Sequence, residues 1–265
     1  SKIAPRISLA YQMNNKSQIS GAFGHFYQSP SQDVLKYSAA LESQFASHYL
    51  LNYQWQNDGK LFRLEAYRKN YESLIKFNTE NPQFDSQFSN DGSGYATGLD
   101  VFYRDNKSIK NLEYWISYSF IDTERDFRNY RTQVTPNFVA QHTASIVGKY
   151  WVNSLKSQVG FSYTMNSERP FDNPNQEAFM ASKTKSFHNL SANWAYLITP
   201  QKILYFSISN ITNADNIFGY QFTNQPDANG NFKSLAIRQT ANQFFFVGLF
   251  WTISNDKKTN QLNNL

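Results

Sequence analysis

Apolar and polar residues alternate one by one along most of this chain, in eleven separate stretches. A period of two is the mark of a β-strand with unlike faces. In the first stretch Ile7, Leu9, Tyr11 and Met13 alternate with Arg6, Ser8, Ala10 and Gln12. The second, Gln18–Phe26, is glycine-rich and weaker. The third sets Phe45, Tyr49, Leu51, Tyr53 and Trp55 against Gln44, His48, Asn52 and Gln54. Phe62, Leu64 and Ala66 then oppose Arg63, Glu65 and Tyr67, and Tyr95, Leu99, Val101 and Tyr103 oppose Gly98, Asp100 and Arg104. The sixth pairs Leu112, Tyr114, Ile116, Tyr118 and Phe120 with Glu113, Trp115, Ser117 and Ser119. Five more follow, centred on Ile146, Phe161, Ala192, Phe206 and Leu249.

The connections alternate between short and long. Short ones are Asn14–Ser17, Gln56–Lys60, Asp105–Lys110, Val152–Leu155 and Thr199–Gln201. Long ones run roughly over Tyr27–Leu41, Asn78–Ser93, Thr123–Val139, Ser167–Lys185 and Thr212–Arg238. A soluble sandwich with one wet face explains the alternation but not this rhythm. A barrel in a bacterial outer membrane explains both, with short periplasmic turns and long outer loops. The pattern therefore predicts an all-β, transmembrane antiparallel β-barrel with about eleven strands present. Its long loops are expected outside and its C-terminus in the periplasm. Such barrels carry an even number of strands. An odd count ending in a downward strand implies that at least one strand precedes Ser1. Residues 1–254 are then expected to be part of a larger barrel, and 255–265 a polar periplasmic tail.

Composition agrees. Tyr, Phe and Trp number 17, 23 and 5, yet the mean hydropathy is −0.60. One lipid face, one wet face and aromatic belts at both interfaces give that combination. No run of eighteen apolar residues is present, so no helix of that kind is expected to cross a membrane. The absence of cysteine excludes disulfides and thiolate metal sites. The formal charge is +5, but Lys and Arg are scattered through turns, loops and strand ends, so no nucleic-acid partner is expected.

Several stretches carry a resemblance. They are Pro5–Tyr11, Gly24-His25-Phe26-Tyr27-Gln28-Ser29-Pro30, Ala46–Tyr49, Arg63–Tyr71, Ile208-Ser209-Asn210-Ile211-Thr212-Asn213, Ile217–Tyr220 and Phe244–Trp251. In order and spacing the chain resembles the C-terminal half of a TonB-dependent outer-membrane receptor of the kind common in Bacteroidetes. The resemblance implies a barrel of about 22 strands with a plug inside, of which this chain would be the second half. It implies uptake of a bulky nutrient (a siderophore, cofactor, glycan or peptide), no cofactor and no catalysis. The implied partners are a plug domain, the N-terminal barrel half, TonB acting through the plug, outer-membrane lipid and a surface lipoprotein. The alternative is a structural barrel subunit of a surface complex without transport of its own. Barrels of this family end on an aromatic residue of the last strand, whereas this chain continues from Asn255 to Leu265.

Candidate site residues follow. Arg63, Glu65, Asp100, Arg104 and Glu113 are expected on the lumen side, as an ion-pair ladder or a plug-facing surface. Tyr27, Gln28, Arg125, Arg128, Tyr130, Arg131, Phe171, Tyr220 and Phe222 sit in the long loops, where aromatic and Arg side chains suit ligand capture. His25, His142 and His188 fall near outer strand ends and His48 deeper, on separated strands, so no metal site is expected. No serine carries a nucleophile signature. Asp227-Ala228-Asn229-Gly230-Asn231 has its glycine misplaced for a calcium loop and predicts a tight turn.

Overall fold

A computed structural model describes residues 2–80, 82–256, 259 and 262. Most of the expected tail lies outside the described residues. The elements in chain order are β1 (Arg6–Asn14), β2 (Ser17–Gln28), a short helix α1 (Gln32–Leu35), β3 (Gln44–Asn57), β4 (Lys60–Phe77), β5 (Phe88–Asp105), β6 (Leu112–Asp126), β7 (His142–Val152), β8 (Ser157–Asn166), β9 (Pro170–Phe171), β10 (Ser182–Lys183), β11 (Phe187–Thr199), β12 (Lys202–Ser209), β13 (Ile217–Phe222), β14 (Ser234–Arg238) and β15 (Phe244–Trp251).

Eleven strands form one antiparallel sheet in the order β1-β2-β3-β4-β5-β6-β7-β8-β11-β12-β15. They correspond to the eleven predicted stretches. The two remaining hairpins, β9/β10 and β13/β14, stand inside long loops. The sequence reading did not expect them. Their strands are short, and Asn, Gly and Ser around them mask the period of two. Among the described residues β1 and β15 each have one paired side.

The register lines up like with like across the sheet. One row runs Leu9–Gly21–Leu51–Ala66–Leu99–Phe120. Another runs Tyr114–Gly148–Phe161–Ala192–Ile208–Phe245. These rows make one continuous apolar face, and it is bare: Leu9 is 74% exposed and Leu51 54%. An apolar surface of this extent needs lipid or another protein against it. The opposite face is polar, with Ser20–Asn52–Glu65–Asp100–Ser119–Thr143 in one row. The predicted alternation thus sorts into two whole-sheet faces, because a slip of one residue would exchange them.

Gly98 shows how the polar face accommodates bulk. Its Cβ would lie 2.4 Å from the Tyr67 ring and 2.7 Å from the Phe120 carbonyl oxygen, so a bare backbone lets Tyr67 lie flat across the strand.

The short turns are locally determined. Asp58 and Gly59 both take positive φ, 41° and 76°, as a two-residue hairpin of the β3–β4 type requires. After β5, the Asp105 carboxylate accepts from the backbone N–H of Lys107 and of Ser108, both at 2.8 Å, from the Ser108 hydroxyl at 2.6 Å and from the Tyr103 hydroxyl at 3.0 Å.

Candidate functional site

At the long-loop end of the sheet, a cavity of about 560 Å³ opens on the polar face. Strands β2, β3 and β4 supply one wall, and the chain leaving β6 supplies the other. The register brings Gly24, His48, Lys69 and Ala96 into one row. Phe26 lies beside that row, with His48 stacked on it at 4.3 Å and the Arg6 guanidinium over it at 4.2 Å.

The opposite wall depends on irregularities. The β4–β5 register breaks between Tyr71 and Leu74, where Ser73 has a φ of 55°. That bulge turns Leu74 and Ile75 inward, and both are buried. The segment after β6 then docks on the end of β4. The Arg128 N–H donates to the Ile75 carbonyl at 2.7 Å, and the Phe77 N–H donates to the Arg128 carbonyl at 3.0 Å. An ion pair between Lys76 and Asp126 at 2.6 Å closes the junction.

Arg125 sits in the middle. Its backbone exchanges hydrogen bonds with Val134, at 2.9 and 3.2 Å. Its guanidinium lies 4.5 Å from the Tyr71 ring centre, 5.8 Å from Phe127 and 5.5 Å from Phe138. Its Nε is buried and has no hydrogen-bond partner. Lys69, Arg125 and Arg128 all line the cavity, and no Asp or Glu does. The cavity is therefore cationic and aromatic, a combination suited to anions and flat groups.

Of the residues expected in long loops, Tyr27 and Gln28 end β2 and Arg125 lies in β6, because both strands run on past the predicted ends; the set divides into two groups by contact. Arg125, Arg128 and Gln28 line the cavity, together with Tyr27. By register Tyr27 belongs to the apolar face, where it packs on Phe45 at 5.0 Å. The other group ties loops together. Phe171 packs on Tyr220 at 4.8 Å and on Phe222 at 6.2 Å, joining the β9 and β13 loops. Tyr130 contacts Phe127 at 4.8 Å and Phe179 at 5.3 Å, and Arg131 lies 5.8 Å from Phe179. Burial raises the Tyr130 hydroxyl pKa. Asn175 adds a two-way clamp, its amide donating to the Phe232 carbonyl at 2.9 Å and accepting the Phe232 N–H at 2.7 Å.

Arg63, Glu65, Asp100, Arg104 and Glu113 share the polar face by register. The expected ladder reduces to a single ion pair among them, Arg104 with Glu113. Glu65 and Asp100 face each other directly, two like charges side by side. The Asn52 amide donates to Glu65 at 3.4 Å, and Arg63 donates to Gln54 at 3.3 Å.

The histidines stay apart. His25 packs edge-on against Phe23 and Phe45, each at 5.0 Å. His142 shares a 2.8 Å hydrogen bond with the Tyr118 hydroxyl, and His188 shares one of equal length with Tyr163. Among the described residues no group of three potential ligands is placed to hold a metal ion. Asp227 closes the expected tight turn, accepting from the N–H of Asn229 at 2.9 Å and of Asn231 at 3.1 Å.

Sequence reasoning overlooked Lys69, Tyr71 and Phe127 as cavity residues. Lys69 carried a signal, being a cation on the polar side of a strand. The other two became visible only through the bulge and the docked segment.

The family model described as TonB dependent receptor-like, beta-barrel matches residues 1–217. The chain belongs to that family. Solved receptors and transporters share its fold. The ferric enterobactin receptor PfeA from Pseudomonas aeruginosa has a TM-score of 0.70 at 11% identity, over 94% of this chain and 40% of its own. The FrpB iron transporter from Neisseria meningitidis scores 0.69 at 11% identity, over 94% and 38%. The outer membrane transporter YddB from Escherichia coli scores 0.68 at 10% identity, over 94% and 40%. The chain thus spans about two-fifths of the length of these three structures. No curated protein matches it in sequence.

Proposed function

We propose that this TonB-dependent receptor segment is wall and outer-loop structure of an outer-membrane receptor that takes up a bulky nutrient. The observation that carries this reading is the whole-sheet division into a bare apolar face and a polar face, in a chain of this family. The apolar face meets lipid, and the polar face meets the lumen. The long-loop end is outside and the short turns face the periplasm, as in barrels of this kind. In this reading β1–β15 form the second half of a barrel of about 22 strands, whose other half and plug lie elsewhere in the protein. The plug carries the connection to TonB, and the loops and upper lumen receive the ligand. The role is transport, without catalysis.

The full-length protein, purified from outer membranes, tests this. Binding of the isolated periplasmic domain of TonB is measured on an immobilised receptor. Saturable binding is expected. No binding, with a lipoprotein retained through purification, would instead make the protein a structural barrel subunit of a surface complex.

A further inference from the structure

We propose that the polar-face cavity at the long-loop end reads the charge of its ligand, and that the ligand is an anion with a flat ring. The inference rests on the transport reading above and adds the class of substrate. Lys69, Arg125 and Arg128 bring three positive charges to one cavity of about 560 Å³, with no Asp or Glu in its lining. That volume lies within the range of about 300–1,000 Å³ usual for small-molecule sites.

Nearby carboxylates are engaged, turned away or, like Asp33 beside Ser31 and Val34, exposed outside the lining. Asp126 is paired with Lys76. Glu42 is paired with Lys2. Glu124 accepts from the Gln133 amide at 3.2 Å, and Glu72 falls on the opposite face of β4 from Tyr71. The Arg125 guanidinium faces rings and no carboxylate, and its Nε is buried without a hydrogen-bond partner. Cations held without counter-ions between low-dielectric walls concentrate anions in the mouth.

The shape information comes from the rings. Phe26 and Tyr71 already serve as platforms for Arg6 and Arg125. Phe127 stands between Arg125 and Arg128, at 5.8 and 5.3 Å from their guanidinium carbons. A flat body can stack on the guanidinium planes that these rings hold, while its negative groups meet the guanidinium and ammonium heads. A competing occupant is a carboxylate from a chain segment seated in the lumen.

The test uses the full-length receptor in a non-ionic detergent and pyranine, a water-soluble pyrene trisulfonate, followed by fluorescence anisotropy. Saturable binding that weakens with added salt is expected. Arg128→Gln and Lys69→Gln should each weaken it about tenfold. Arg128→Lys should keep most of it, since the charge remains. Neither Lys69 nor Arg128 forms an ion pair among the described residues, so the substitutions should leave the barrel's heat-modifiable gel migration unchanged. Three results would overturn the proposal: no saturable pyranine binding, equal binding by both Gln variants, or equally tight binding of the cationic dye acridine orange. A receptor that binds TonB but not pyranine loses this charge reading alone. One that binds pyranine but not TonB loses the transport reading alone.

Discussion

The two ends of this sheet are built on different principles. At the short-turn end local hydrogen bonds close the best-defined turn, and short links such as Asn106 N–H to the Gly59 carbonyl, at 3.2 Å, join one turn to the next. Asp105 holds its turn with four hydrogen bonds from residues no more than three positions away. At the long-loop end local turns such as the one at Asp227 remain, but distant contacts join one loop to another. Arg128 is set by β4, Asn175 by Phe232, Phe171 by Tyr220 and Tyr130 by Phe179, across sequence gaps of up to 57 residues. The neck of the last long loop shows the contrast best. Asn210, buried at a φ of 51°, donates through its amide to the carbonyls of Ala214 and Asn242 at 2.9 and 3.0 Å. Its backbone N–H donates to Asn189, and its side-chain oxygen receives the Ala214 N–H. Tight turns fix strand register at one end, while the other end holds loops in place to shape a cavity. Loops tied to one another can carry a site without becoming a rigid wall.

This contrast can be broken from either side. The largest effect is expected for Asp105→Ala. It removes the acceptor of four hydrogen bonds at a group 1% exposed, a loss of about 3 kcal/mol or more. Urea unfolding in detergent should shift accordingly, with pyranine binding unchanged at low denaturant. Leu51→Arg places a charge in the apolar row and should cost about 2–4 kcal/mol on insertion, against almost nothing for Asn52→Arg one residue away. Folding into liposomes from urea checks the pair, and equal costs would mean the faces are wrongly assigned. Asn210→Ala should cost about 2 kcal/mol and loosen the whole β12–β15 connection, read as faster protease cleavage within residues 211–243. The smallest effect belongs to Asn175→Ala. It breaks one two-way clamp worth about 1 kcal/mol. It should leave unfolding unchanged and speed cleavage near Gly230 only.

Eleven strands, their faces and the alternating lengths of their connections were legible because period two and turn chemistry are local properties. The Ile208–Asn213 motif was legible as a pattern, but its reason was not. Asn210 is needed there because an amide that donates and accepts can close a knot at positive φ. The packing of the loop aromatics was not legible for a related reason. A Phe or Tyr in a long loop fits ligand capture or loop packing equally well in sequence, and Phe171, Tyr220 and Phe222 chose each other. The polar-face charges also needed the fold. Whether Glu65 meets Arg63 or Asp100 depends on register between strands, and the register puts Asp100 opposite.

The sequence by itself determined a two-faced, all-β wall with short connections at one end and long ones at the other, since each strand's alternation is written in neighbouring residues. Tertiary structure alone decided that Lys69, Arg125 and Arg128 share one cavity and that nearby carboxylates do not neutralise it. Those positions are brought together by a bulge in β4 and by a segment docked across more than fifty residues of chain, and no local pattern encodes such a meeting.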